Sequence, residues 1–498
     1  MSLVRIINTV KYLCYFLCMP LFVIGLLLQN VLVLDISVLL AWAGNACFGM
    51  QKIRKRAFFF AFQITFFTFL LGRTVANLIS SKEDYFTFSH AIQVHTRICL
   101  FIALIALVVS YALFENVRLD TGFLKHLHIG GRKRSYAADF LRYESEEYKS
   151  VRFVSKWLLI ATFPFDILVL AEKTIFVMSH GYADLYVSYT SHLPYLFVKL
   201  GDVFRVALFI FLATMPSKKE ARIPLLLFFA ESVMTLGTGK RTNFVVPLII
   251  FVLYFWIRNE INPGRTPWLT KKHVYLMLAA VPFLILFLLA FNAVRFAKSS
   301  GVQAQDGGLR DKLIGFFESI GFSVNVISYE KLYEHRIPDV IYSFGNTTEY
   351  LKENVLTQLF FDFPVYKNQT IGKALYGTDF TQTVTYLYSP TYYLAGRGFG
   401  SCYIAEAYHD FGYPGIALWS TIYSALLYFV YNYKKKGIIY IALSLCMFKA
   451  VLIAPRSVAS GFLTEMLNLD IWLVIGMVWF GAYIIRQVKF TVRSRASA

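Results

Sequence analysis

The sequence predicts an all-α, polytopic integral membrane protein of about twelve transmembrane helices with one large external loop. Three observations predict it. Of 498 residues, 57% are hydrophobic and 17% aromatic, and the mean hydropathy is +0.55, which excludes an ordinary soluble domain. Apolar runs of about 20 residues, the length that crosses a bilayer as a helix, recur along nearly the whole chain. The segments between them alternate between rich and poor in Lys and Arg, as cytoplasmic and external loops do. The same bias accounts for the net charge of +19, so no nucleic-acid partner is called for.

Taken in order, the expected helices begin with 12–29. It follows Arg5 and Lys11 as a signal peptide would, but it lacks a small-residue cleavage site and runs on into further spans, so it reads as an uncleaved first helix. Next come 31–50, 57–79, 98–116 and 157–178. The sixth, 195–215, carries Lys199, Asp202 and Arg205 at i, i+3 and i+6 on one face. Spans 223–237 and 243–257 are short enough to be tilted, broken or re-entrant. Span 273–294 closes a first block, 1–294. A long external loop, 295–402, leads to a last block, 403–498, with spans 412–433, 438–453 and 467–485 and a basic cytoplasmic tail. Cys14, Cys18, Cys47, Cys99 and Cys446 lie in apolar runs and read as packing residues, with Cys402 the one near a surface. The pair His126 and His128 is too short a match for a metal site.

Sidedness follows from charge. The segment "QKIRKR", residues 118–156, "SKKEAR", residues 258–272, "KKK" and both termini hold 29 of the 49 Lys and Arg. Both termini are therefore expected in the cytoplasm. Ten more cations lie in the 295–402 loop, too long for the charge rule to govern. The last ten, Arg73, Lys82, Arg97, Lys173, Lys199, Arg205, Lys240, Arg241, Lys449 and Arg456, fall in spans or outward turns. A cation at mid-bilayer costs about 2.5–3.5 kcal/mol on insertion scales. Such residues pair internally, for which Glu172, Asp202 and Glu231 are at hand, or they bind an anion. Lys240 and Arg241 have no acid in their own turn, "GTGKRTNF". A lipid-linked phosphate or diphosphate suits them, because guanidinium meets phosphate oxygens through two parallel hydrogen bonds.

The long loop opens on "LRDKLIGFFESIGF", which puts Leu309, Leu313, Phe316, Phe317 and Ile320 on one stripe of an interfacial helix. From Tyr342 to Tyr393 it has 13 Phe and Tyr in 52 residues, an interfacial belt or a set of flat faces for sugar rings. Asn346, Thr347, Thr348, Gln369, Thr378, Thr381, Gln382 and Thr383 would suit a carbohydrate-lined cleft. The loop closes on "AGRGFGSCYIAEAYHDFGYPG". There a glycine turn with Arg397 runs into a helix that Ser401 is placed to cap. Glu406, His409 and Asp410 share a face of that helix.

This last run resembles the signature of the bacterial oligosaccharide repeat-unit polymerases, the Wzy-type O-antigen and capsule polymerases, through Gly398, Gly400, Ser401, Ala405, Glu406, Tyr408, Phe411, Gly412 and Gly415. "GTGKR" is similar to the Gly-x-Arg turn those proteins carry between two mid-chain spans, and "APRS" to an arginine near the outer end of a late span. The resemblance implies a glycosyltransferase of GT-C-like fold in the bacterial cytoplasmic membrane. It would polymerise undecaprenyl-diphosphate-linked oligosaccharide at the outer face, with membrane lipids, a chain-length regulator and a flippase as companions and no cofactor. No Asp-x-Asp occurs in the chain, so arginines would replace a metal in stabilising the leaving diphosphate. Arg241 and Arg456 come first in that role, supported by Lys240, Arg397 and Arg205. Glu406 is the first candidate general base and His409 the second, with Asp410 orienting it. Rival functions are an O-antigen-ligase-type glycan transferase and a flippase or exporter of lipid-linked oligosaccharide.

Overall fold

The computed structural model describes residues 3–80, 88–116, 143–261, 267–297, 308–432 and 436–496. Lys82, His126, His128, most of the basic segment 118–156 and two lysines of "KKK" lie outside the described residues. Among those described, all regular structure is helical. Eleven helices are long and apolar enough to cross a membrane. The twelfth expected span forms a helix too, but Lys199, Asp202 and Arg205 set it apart from the eleven. The spans at 223–237 and 243–257 are longer than the sequence suggests, reaching 21 and 18 residues. The long helices are α1 (Leu3–Leu27), α2 (Val31–Gln51), α3 (Ile53–Ser80), α4 (His90–Asn116), α5 (Glu146–His180), α6 (Tyr195–Ala213), α7 (Lys218–Met234), α8 (Thr242–Ile261) and α9 (Lys271–Ala297). Later in the chain come α10 (Leu309–Ile320), α11 (Val324–Tyr333), α12 (Tyr403–Val430), α13 (Ile438–Ile453), the short α14 (Gly461–Leu467) and α15 (Leu469–Ala496).

The chain divides into two compact units. The first comprises Met1–Val117, Leu284–Tyr431 and Ala450–Thr464. Its helices place their polar side chains inward, where lipid offers no partner. Asn45 is fully buried, donates to the Leu104 carbonyl at 2.9 Å and accepts from Tyr15 Oη at 2.9 Å. Arg97 grips Asp35 through Nε and Nη2 at 2.9 and 3.2 Å, so this outward cation is neutralised inside the bundle. Arg56 likewise pairs with Glu115. Within α3 a π turn at Phe67–Leu71 shifts the helix register, a distortion common near functional sites. Helix α10 forms as expected and buries Phe316, while Leu309 stays 58% exposed. Helix α12 kinks at Gly412, whose φ of 63° suits glycine.

The second unit comprises Arg118–Phe283, Asn432–Lys449 and Glu465–Ala498. Ser217 and Glu220 form a reciprocal capping box at the start of α7. Arg258 is buried, donates to the Pro216 carbonyl and lies 4.3 Å from the centre of the Trp268 ring. Arg152 donates to the carbonyls of Tyr143 and Thr214 at 3.0 and 2.9 Å. These arginines satisfy carbonyls that the ends of the helices leave open.

Candidate functional site

In the second unit, the stretch "GTGKR" becomes a tight turn between α7 and α8. Thr235–Thr238 form a 3₁₀ turn, and Gly239 takes φ 79°. A side chain at Gly239 would also meet the Tyr182 ring at 2.6 Å, and one at Gly237 would meet Thr174 at 2.5 Å. Only glycine allows both the left-handed backbone and the close approach. Lys240 and Arg241 then precede α8, with Lys240 Nζ 5.0 Å from the centre of the Tyr186 ring.

Two cavities of about 340 Å³ each adjoin here and share Asp202, Arg205 and Asn243 in their linings. Lys173, Arg205 and Lys240 line the first, with Thr235 and Thr238 of the turn, Tyr186 and Tyr189. The acids Asp166 and Asp202 line it too, and Asp166 Oδ2 is buried there with no hydrogen-bond partner among the described residues. Lys449, Glu465, Asn468 and Asp470 line the polar side of the second, with Phe209, Phe228 and Ile250 opposite. Arg205 reaches both, although its Nε and Nη2 are engaged by the fully buried Glu231. Lys449 Nζ donates to Asn243 Oδ1 at 2.8 Å.

Internal pairing thus claims several of the outward cations: Arg97 with Asp35, Arg205 with Glu231, and Lys199 with Asp470 at 2.7 Å. Of the acids expected to pair, only Glu231 pairs this way with a cation among the described residues. Glu172 instead accepts from Tyr189 Oη, Ser191 Oγ and the His192 amide.

In the first unit, the glycine turn before α12 has Gly396 and Gly400 at φ 78° and 80°. Ser401 does not cap the helix. Cys402 occupies the N-cap position, fully buried rather than near a surface, and Ser401 Oγ donates to Glu406 Oε1 at 2.5 Å. The second Glu406 oxygen accepts from the Ala459 amide at 2.8 Å. Glu406 is fully buried, and its carboxylate ties the glycine turn to the chain just after Arg456. Arg456 itself lies 5.7 Å from the centre of the Phe69 ring, within the π turn of α3. Although Glu406, His409 and Asp410 follow one helical face, each serves a different neighbour. Asp410 accepts from the amides of Tyr342 and Ser343 at 3.0 and 2.7 Å. His409 Nδ1 stands 3.7 Å from Glu330 Oε1.

Arg397 is exposed above Tyr392, 5.6 Å from its ring centre. Tyr392, Tyr388 and Tyr329 pack around Phe399 of the glycine turn, with ring centres 4.8–5.6 Å apart. The polar residues of the loop mostly brace it internally: Thr347 bonds Ser460, Thr378 the Gly345 carbonyl, and Thr383 the Ala374 carbonyl.

Three acids escaped the sequence argument. Glu330 is fully buried between His409 and His95, whose Nε2 is 3.9 Å from Glu330 Oε2, and burial raises its carboxyl above the ordinary range. Asp166 and Glu465 line the cavities. Their one signal was an isolated acid in an apolar segment, a mark that Asp35 bears as well.

A helical polytopic membrane protein with charged chambers beside its spans is the class these features define. A model of the O-antigen polysaccharide polymerase Wzy family matches residues 10–489, nearly the whole chain, and the protein belongs to that family. Comparisons with curated proteins and with solved structures returned no match. The chain is therefore an O-antigen polymerase of a membrane, an enzyme of glycosyltransferase type that takes lipid-linked oligosaccharide.

Proposed function

We propose that the protein transfers growing glycan from an undecaprenyl diphosphate carrier to the next lipid-linked repeat unit. Transfer takes place at the outer face of the bacterial cytoplasmic membrane, both termini are cytoplasmic, and no metal takes part. One observation carries this reading: Lys173, Arg205 and Lys240 converge on a single chamber whose wall is the glycine turn. The diphosphate leaving group gathers negative charge as the sugar departs, and fixed cations in a water-poor chamber stabilise it without having to reorganise. Lys240 and Arg241 also stand just before the N-terminus of α8, where the helix dipole favours an anion.

The first compact unit has glycan contacts of its own. Tyr388, Tyr392 and Phe399 offer ring faces to sugars, Arg397 donates to their hydroxyls, and Arg456 is a further anion contact. Glu406 acts there as a positioning residue, because both of its oxygens are spent on holding the turn. His409, paired with Glu330, steadies the loop against α12.

Full-length protein in lipid nanodiscs tests the proposal, with undecaprenyl diphosphate binding and polymer length as readouts. Lys240→Ala should weaken binding about 10-fold and shorten the polymer, and Arg205→Lys should impair both, since a single ammonium cannot hold Glu231 and an anion at once as the guanidinium fork can. A ligase or an exporter would make no polymer in this assay even as the wild-type chain. That outcome refutes the polymerase reading, and wild-type undecaprenyl diphosphate binding by both variants refutes the assignment of this chamber.

A further inference from the structure

The two chambers share the wall formed by Asp202, Arg205 and Asn243, yet their linings differ. The first has the lysines and the turn. The second sets two asparagines, three carboxylates and only two cations, Lys449 and the shared Arg205, against an apolar wall, a lining that suits a sugar's hydroxyls and ring face better than a diphosphate. We infer that the second chamber receives the acceptor sugar and that Glu465 takes the proton from its attacking hydroxyl. The inference rests on the proposed diphosphate chamber and names the base that reading lacks.

Other carboxylates are engaged elsewhere or stand in the diphosphate chamber, as Asp166 does. Glu406 is sealed between Ser401 and Ala459, Asp410 holds two loop amides, and Asp470 is paired with Lys199. Asp202 lines both chambers and lies on the same helix face as Lys199 and Arg205, so its charge opposes the anion. Glu465 belongs to the second chamber alone. It sits half-buried on the short helix α14, between the spans, and no side-chain hydrogen bond holds its carboxylate among the described residues. The charged groups facing it are Lys449 of α13, Arg205 and Asp202 of α6 and Asp470 of α15. Burial raises its carboxyl above the ordinary range, while the charges of Lys449 and Arg205 pull it back. A carboxylate raised in this way is a stronger base than an exposed one.

The step balances. The hydroxyl proton passes to the Glu465 carboxylate as the oxygen bonds to the anomeric carbon of the donor sugar. The bond from that carbon to the phosphate oxygen breaks, and its electron pair leaves on the diphosphate beside Arg205 and Lys240. Transfer of the proton to solvent restores the carboxylate.

The test uses full-length protein in nanodiscs, supplied with lipid-linked repeat units extracted from a host strain lacking this polymerase. Glu465→Gln should slow polymerisation at least about 100-fold while undecaprenyl diphosphate binds within about twofold of wild type. Glu465→Asp should retain a measurable rate, and the acidic limb of its pH–rate profile should move. A Glu465→Gln rate within about threefold of wild type overturns the inference, as does a loss confined to Asp202→Asn. Should Glu465→Gln fail to run as a single species on gel filtration, the Asp variant decides: an unmoved pH limb sinks the base role. Failure of the underlying reading looks different, because Lys240→Ala and Arg205→Lys would then bind undecaprenyl diphosphate at wild-type affinity whatever Glu465 does.

Discussion

Replacing Glu406 separates holding a turn from moving a proton. Its carboxylate accepts from Ser401 Oγ at 2.5 Å and from the Ala459 amide at 2.8 Å, and none of it is exposed. A hydrogen bond contributes about 0.5–1.5 kcal/mol net, and a buried group left without its partner costs about 1–3 kcal/mol more. Glu406→Ala loses both bonds and strands the Ala459 N–H in the interior, so about 3–5 kcal/mol should disappear. Glutamine is another matter. Its amide oxygen can accept from Ala459 while its NH₂ donates to Ser401 Oγ, because a hydroxyl turns to accept as readily as to donate. Both links then survive as neutral bonds, at a cost of about 1 kcal/mol. The assay pairs thermal unfolding of the detergent-solubilised full chain with gel analysis of polymer length in cells. The alanine variant should melt far lower and make no long polymer, whereas the glutamine variant should melt near wild type and keep at least about half of the polymer. A well-folded glutamine variant that makes none would refute the positioning argument and return Glu406 to proton transfer.

Other substitutions follow from the same structure. Gly239→Ala forces a side chain into a left-handed backbone and against Tyr182, 2.6 Å away. Its backbone cost of about 1–2 kcal/mol should weaken undecaprenyl diphosphate binding, and Tyr182→Ala in the same chain should restore only part. Glu231→Gln leaves the partly exposed Arg205 with a neutral acceptor in place of its buried partner, so a loss of about 1–2 kcal/mol should appear in the same unfolding assay. Asp379 in the loop is pushed up from 3.8 to about 6, by burial first and by the charge of Glu349 second. Because its folded value lies above its unfolded one, the fold prefers the protonated form, and stability should fall as pH rises from about 4 through about 6. Asp379→Asn should flatten that slope in melting curves taken from pH 4 to 8.

Much of the architecture was legible in the residues because a membrane span is a local object. A helix of about 20 apolar residues satisfies its own backbone within itself, so its position follows from the run alone. The expected spans from 12–29 to 467–485 therefore all correspond to helices. The turn at 237–242 was equally local, since two glycines and two cations between apolar runs announce a tight, charged connection. Polar partnerships lay beyond that reach. Asp35 answers Arg97, Asp470 answers Lys199, and Ala459 answers Glu406, pairs separated by dozens to hundreds of residues. Which cations stay available for an anion depends on those pairings. Ser401 looked like a helix cap until packing offered it a buried carboxylate, and Glu465 was only an acid in a short connection until α6, α8, α13 and α15 enclosed a chamber with it. Sequence alone determined where the chain crosses the membrane, because hydrophobicity acts along the chain. Tertiary structure decided which charges meet, because desolvation and Coulomb attraction act across space between residues that the chain itself does not bring together.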